Sequence, residues 1–141
     1  EDKDSAERYR SKAKELTALI NQHFWDEERG AYIDSIHNDG KRSSAVARPF
    51  NTLALLHDVV PQERRERVMS IALGERTEGV TPFGSPFATL YLLELLGETD
   101  HAGEMLDIIR EQWGGMLDAQ TTTFWESFPV GNQKTGELPH I

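Results

Sequence analysis

One stretch of the sequence gathers residue types that could do chemistry: Trp113-Gly114-Gly115-Met116-Leu117-Asp118-Ala119-Gln120-Thr121-Thr122-Thr123-Phe124-Trp125-Glu126-Ser127-Phe128-Pro129. Two aromatic rings immediately precede the Glu126 carboxylate, and three consecutive threonines offer small hydroxyl donors and acceptors. Indole and phenyl faces beside a carboxylate suit a sugar site, because the rings stack on apolar C–H faces while the carboxylate reaches a hydroxyl or a water. Apolar neighbours that desolvate a carboxylate also raise its basicity. The residues alone leave a second reading open, in which Phe124 and Trp125 plug the core and Glu126 is a solvated surface group. Asp118 is similarly divided between a second site carboxylate and a cap for a turn after Trp113.

Other candidates carry less. His23, His37, His57, His101 and His140 have no partner at i, i+4 and no carboxylates at metal-ligand spacing, so no metal site is expected. His23 and His57 read as packed or capping residues. Asp26-Glu27-Glu28 beside Gly30 lacks the alternating ligands of a calcium loop and reads as a solvated turn. Glu63-Arg64-Arg65-Glu66-Arg67, mixed in sign, reads as an exposed helix face. Ser43 and Ser44 have no nucleophile elbow around them, and Gly114-Gly115 is too sparse to cradle phosphate.

The elements that must position the 113–129 stretch are helices. Asp4 with Glu7 predicts a capping pair for a first amphipathic helix filling most of the first thirty residues. Its stripe is Tyr9, Ala13, Leu16, Ile20 and Phe24. Residues 26–30 read as a turn and Ala31–Ser35 as a short strand. Residues 30–44 therefore form a connector, with a small β-hairpin about Asn38-Asp39-Gly40. Val46, Phe50, Leu53 and His57 share the face of a second helix, which Pro49 delays. Pro61 opens a third that stops near Gly74. Ser85-Pro86 is a strong start for a fourth, Phe87–Leu96, apolar nearly all round and so expected to be buried on most sides. Thr99 or Asp100 caps the last, with Ala102, Met105, Leu106, Ile109 and Trp113 on one side. Gly114 and Gly115 then predict a sharp, left-handed exit. Corresponding helix starts fall roughly 40 residues apart, the length of a helical-hairpin repeat. The class is all-α, as either an open solenoid or a closed toroid of hairpins whose loops build a site at one end. The long, chemically varied 113–129 stretch favours the toroid.

Composition bounds the remainder. The 141 residues suffice for one domain of ordinary size, and 38% hydrophobic with 28% charged residues predicts an ordered fold. Lys+Arg 15 against Asp+Glu 24 gives a net charge of -9, which argues against a nucleic acid or an anionic membrane as partner. No cysteine means no disulfide, thiolate metal site or cysteine nucleophile, and it fits a cytoplasmic or a secreted location equally. Leu90–Leu96 is too short to span a bilayer. The chain begins with Glu1 and carries no signal-peptide core, so the expectation is either that a segment has been removed or that the chain is a piece of something larger.

The run WGGMLDAQTTTFWESF resembles the segment around the catalytic base of bacterial α-L-rhamnosidases, glycoside hydrolase family 78. HFWDEERGAYIDS, FNTLALLHDVVPQERRERV and GVTPFGSPFATLYLLELLGETDHAGEMLDIIREQWGGML resemble earlier stretches of that family's catalytic domain, in the same order. The likeness runs from about Leu16 to Phe128, and TTTFWE is its specific part. The resemblance implies an (α/α)6 toroid of six hairpins and an inverting mechanism. Glu126 would be the general base, with Phe124, Trp125, Trp113 and Asp118 about the sugar. It implies a carbohydrate substrate, an α-L-rhamnoside, and no cofactor. The family's general acid and a tryptophan-bearing pocket loop lie upstream of the matched segment and have no counterpart here. A histidine-bearing segment after the base is also missing, and His140 is not counted as its replacement. Two departures fall near the loops expected to face substrate: Arg48-Pro49-Phe50 leads into the second helix where a polar, proline-free approach is expected, and Gly84-Ser85-Pro86 loosens a turn that the family often fills with an aromatic.

Residues 1–141 are thus expected to be a single unit, about the second half of a toroid, whose partner is the rest of the parent catalytic domain. Alone it should self-associate or be marginally stable, because exposing an inner apolar helix costs on the order of 25 cal/mol per Å². It should not catalyse, since one carboxylate cannot perform both proton transfers. The alternative is a non-catalytic helical-repeat module binding carbohydrate or protein through an aromatic patch of Trp113, Trp125 and Phe128.

Overall fold

The computed structural model describes residues 2–76 and 78–128. Its first element, α1 (Lys3–His23), is capped two residues earlier than expected: Asp2 accepts the Ser5 N–H at 3.2 Å. Asp4 lies instead in the first turn, where the helix dipole favours a negative charge. The helix also ends early. Phe24 caps it, and Trp25–Asp26 leaves as strand β1, antiparallel to β2 (Ala31–Tyr32) with Trp25 opposite Tyr32. The hairpin therefore begins within what periodicity assigned to the first helix. A second, smaller reversal pairs Ile36 with Arg42 around Gly40.

Strand β3 (Val46–Ala47) runs directly into α2 (Arg48–Leu56), so Val46 belongs to a strand, not to the helix face with Phe50. A 3-10 turn, Gln62–Arg64, leads into α3 (Arg65–Leu73). Gly74 ends α3 with φ +82, donating to Ile71, while Glu75 donates to Ser70, both at 3.0 Å. Strand β4 (Val80–Thr81) then returns parallel to β3, with Val46 opposite Val80. Ser85 caps α4 (Pro86–Gly97) by accepting the Ala88 N–H at 3.2 Å, as Ser-Pro predicts. The last helix, α5 (Ala102–Asp118), starts after His101 with no side-chain cap; Thr99 bonds back to the Leu95 carbonyl instead.

Helix α2 packs on both α3 and α4, and α4 on α5. The main core joins Leu55, Val60, Val68, Ala72, Phe83, Leu92, Leu95 and Leu96 to Trp25 and Tyr32 of the hairpin. Asn51, fully buried, locks β2 to α2. Its Oδ1 accepts the Tyr32 N–H at 2.9 Å, and its Nδ2 donates to the Tyr32 and Ala47 carbonyls, each at 3.0 Å. Tyr32 in turn donates its hydroxyl to Asn21 at 2.7 Å. Arg64 bonds the same Asn21 oxygen at 3.0 Å and stacks on Trp25, 4.3 Å from the ring centroid. Within the 63–67 run Glu63, Glu66 and Arg67 are exposed, as the mixed charge predicts, but Arg64 of the 3-10 turn and Arg67 of α3 also contact the hairpin, Arg67 through an ion pair with Glu27.

Two apolar surfaces have no cover among the described residues. On α1 only Ile20 and Phe24 of the stripe reach the core, while Tyr9 and Leu16 are exposed. On α4 one side is buried through Thr89, Leu92, Leu95 and Leu96, but Phe87 and Leu90 are 74% and 54% exposed. An apolar circumference therefore does not bring burial all round; only the side facing α2 and α5 has partners.

The long connections, 24–47, 74–85 and 119–128, alternate with short ones, 57–61 and 98–101. Every described strand lies in the first two long connections. The β3–β4 pair joins the first to the second, and the Phe128 N–H joins the third to the second by donating to the Gly84 carbonyl at 2.9 Å.

Candidate functional site

Helix α5 runs through Gly114 and Gly115 without a break and ends at Asp118, so the glycines do not supply the expected left-handed exit. The residue with positive φ is Gln120, at +52°. Glycine permits a reversal without requiring one, and the i to i+4 bonds of α5 outweigh its poor helix propensity here. The chain then folds back on the helix end: Ala119 donates to Gly115 at 3.1 Å, and Gln120 to Leu117 at 2.9 Å. Thr121 donates both its N–H and its hydroxyl to the Met116 carbonyl, at 3.2 and 3.0 Å. Asp118 is exposed on the final turn of α5; with no turn after Trp113, it has none there to cap.

The aromatic residues divide. Trp125 and Phe128 are buried with Met116 in a small cluster, against which Trp113 and Ala119 pack. Trp113 meets Phe128 edge-on, with centroids 5.2 Å apart. Phe124 faces solvent, 78% exposed. Glu126 is exposed between the two anchors. Trp125 plugs a core and Glu126 faces water, as the second sequence reading expects, while Phe124 is exposed rather than packed. The Trp125 indole N–H is buried without a hydrogen-bond partner among the described residues. Leaving such a donor unpaired costs about 1–3 kcal/mol.

Trp113, Met116, Leu117, Thr121, Thr122, Thr123 and Phe124 line an open groove of about 560 Å³ beside the loop. Its floor is apolar and the threonine segment borders it. Five of the sequence candidates thus lie along the end of α5 and its following loop, with Trp113, Phe124 and the threonines on the groove and Asp118 at the helix end.

What sequence reasoning missed lies outside that stretch. The Gly84 carbonyl anchors the loop, and Phe83 before it sits buried beneath the Arg48 guanidinium, 5.5 Å from it. Burial holds Arg48 below its ordinary value. A backbone carbonyl has no sequence signature; the Arg-Pro entry to α2 was the available hint.

His23, His37 and His57 are exposed, and His57 caps α2 through its backbone alone. His101 Nδ1 lies 3.0 Å from the Thr99 hydroxyl. His140 lies outside the described residues. Among those described, no three His, Asp or Glu side chains converge in a way that could hold a metal ion, and no helix is long and apolar enough to cross a membrane.

Residues 1–140 match the model of a family described as the bacterial alpha-L-rhamnosidase 6 hairpin glycosidase domain. Among solved structures, the chain is similar to a GH78 family rhamnosidase of Bacillus sp. GL1. That match has 33% identity and a TM-score of 0.84 over 94% of this chain and 14% of that one. It is also similar in fold to a rhamnosidase from Klebsiella oxytoca with rhamnose bound, at 20% identity and a TM-score of 0.72, over 91% of this chain and 23% of that one. No curated protein matches the chain. The chain therefore spans less than a quarter of either solved relative's length.

Proposed function

The chain belongs to the bacterial α-L-rhamnosidase six-hairpin glycosidase family, and on that premise we propose that it is part of an inverting glycoside hydrolase that cleaves terminal α-L-rhamnosides, with Glu126 as general base. In this reading residues 1–141 are one piece of an (α/α)6 catalytic domain, and the general acid comes from outside the chain. The observation that carries it is the placement of Glu126. Its carboxylate is open to water, while Trp125 beside it and Phe128 two residues later are buried and fix the backbone.

A general base needs this combination of access and fixity. Inversion requires two carboxyl groups about 6.5–9.5 Å apart, with a water between the base and the sugar. Glu126 takes a proton from that water as its oxygen bonds to the anomeric carbon. The acid meanwhile protonates the departing glycosidic oxygen. Trp113 and Phe124 offer apolar faces to the sugar or its aglycone, Trp125 holds the base from behind, and Asp118, exposed on the last turn of α5, can accept from a sugar hydroxyl. No step needs a cofactor. The bare faces of α1 and α4 support a partner in the remainder of the catalytic domain.

The test is turnover of an aryl α-L-rhamnoside by the full-length protein, with the anomer of the first product read by NMR. Glu126→Gln should lower kcat by about 10²–10⁴-fold with rhamnose binding retained, because only the proton transfer is lost. Wild-type turnover in the variant would sink the assignment. The open groove of Trp113, Leu117 and Phe124 favours a second reading, a non-catalytic binding module for carbohydrate or protein. That reading expects no hydrolysis, no effect of the Glu126 change on binding, and a large loss on replacing the exposed Phe124.

A further inference from the structure

We propose that Arg48, on the opposite side of the chain's sequence from Glu126, is a positioning residue for the Glu126 loop; this rests on the reading of Glu126 as general base. The loop's hold on the rest of the fold is narrow. Beyond its bonds to the end of α5, residues 119–128 make one backbone hydrogen bond to another element among the described residues, from Phe128 to the Gly84 carbonyl. Phe83, the residue before Gly84, is buried and only 5% exposed, so its ring anchors the backbone that leads into that carbonyl. The Arg48 guanidinium stacks over this ring at 5.5 Å.

Arg48 is itself held rigidly. Nη2 donates to the Ala72 carbonyl at 2.6 Å at the end of α3, and a Cβ on Gly74 would lie 3.1 Å from the guanidinium carbon. Glycine there leaves the guanidinium its space as well as ending the helix. Yet Arg48 has no carboxylate partner among the described residues, and its Nε is buried without a hydrogen bond. Even half-buried, a cation without an ion pair is unfavourable, and an apolar side chain of similar volume would fill the space at less cost. An arginine adds what an apolar chain lacks, a flat cationic face whose plane is set by its carbonyl bond and on which an aromatic ring rests. Arg48 restrains Phe83, Phe83 anchors the backbone leading into Gly84, and the Gly84 carbonyl holds Phe128 two residues from the base.

The experiment uses the full-length enzyme with Arg48→Met and Arg48→Lys. It measures kcat and KM on an aryl α-L-rhamnoside, and hydrogen exchange in peptides covering Phe128 and the buried half of α4. Arg48→Met should lower kcat by about 10-fold or more while KM stays within about twofold, because a misplaced base impairs chemistry rather than sugar binding. Exchange at Phe128 should rise while Leu92–Leu96 stays protected. Arg48→Lys keeps the charge and the carbonyl donor but loses the flat face, so it should fall between, and it carries the test if the methionine variant does not fold. Wild-type kcat and unchanged exchange would overturn the inference. So would a loss of activity that merely tracks unfolding, with exchange rising equally in the loop and in α4. If the wild-type enzyme hydrolyses no glycoside, the reading of Glu126 falls, and the Phe128 exchange alone decides whether Arg48 holds the loop.

Discussion

Asn51→Ala should be among the most damaging single changes to this fold, although Asn51 touches no substrate. The side chain is fully buried and replaces the strand neighbour that β2 lacks on its inner side. Truncation removes three hydrogen bonds and leaves the Tyr32 N–H and C=O, in a residue that is 0% exposed, without these partners. Two orphaned buried groups at about 1–3 kcal/mol each predict a loss of roughly 2–6 kcal/mol. That is a large share of the 5–15 kcal/mol or so that holds a typical domain. The loss should spread to the hairpin, since Tyr32 carries the bond to Asn21 and the edge contact with Trp25 at 5.2 Å. Urea denaturation followed by tryptophan fluorescence measures it, with the midpoint falling and the slope unchanged. A loss below about 1 kcal/mol would mean that water or a shifted side chain satisfies Tyr32, and the claim that Asn51 locks the hairpin to α2 would be wrong.

Two further expectations follow from the structure. Glu27 accepts from the Trp25 indole N–H at 2.7 Å and pairs with Arg67, which together hold its carboxyl below its ordinary 4.5. A depressed folded value stabilises above the unfolded value and is lost as pH falls through the folded one, so the stability difference between wild type and Glu27→Gln should be present at neutral pH and vanish in acid; a difference that persists unchanged through the acid range would refute the linkage. Replacing exposed Phe87 and Leu90 by serine should reduce concentration-dependent association of the isolated 141-residue chain, read by sedimentation velocity, with little change in its unfolding midpoint, whereas unaltered association would assign self-contact to another surface.

Much of the local structure was legible because its causes are local. Ser85-Pro86 starts α4 and Gly74 ends α3 through bonds spanning three to five residues, which spacing along the chain can reveal. The order of hairpins was legible for the same reason, as was the concentration of candidate chemistry after Trp113. Where local signals competed, tertiary contacts chose. Trp25 leaves the first helix because it can pair with Tyr32 and lie beneath Arg64, a residue far along the chain. Gly114 and Gly115 stay helical because nothing in glycine compels a turn. For the candidate site, the residue types around Glu126 follow from sequence by itself, together with the alternatives of a sugar site and a plugged core. Only the tertiary structure decided the placement residue by residue, with Trp125 inward and Phe124 outward. It alone supplied the Phe128–Gly84 bond and the Arg48–Phe83 contact behind it. Side-chain periodicity encodes which face of an element is apolar, but not which distant backbone carbonyl that face will meet.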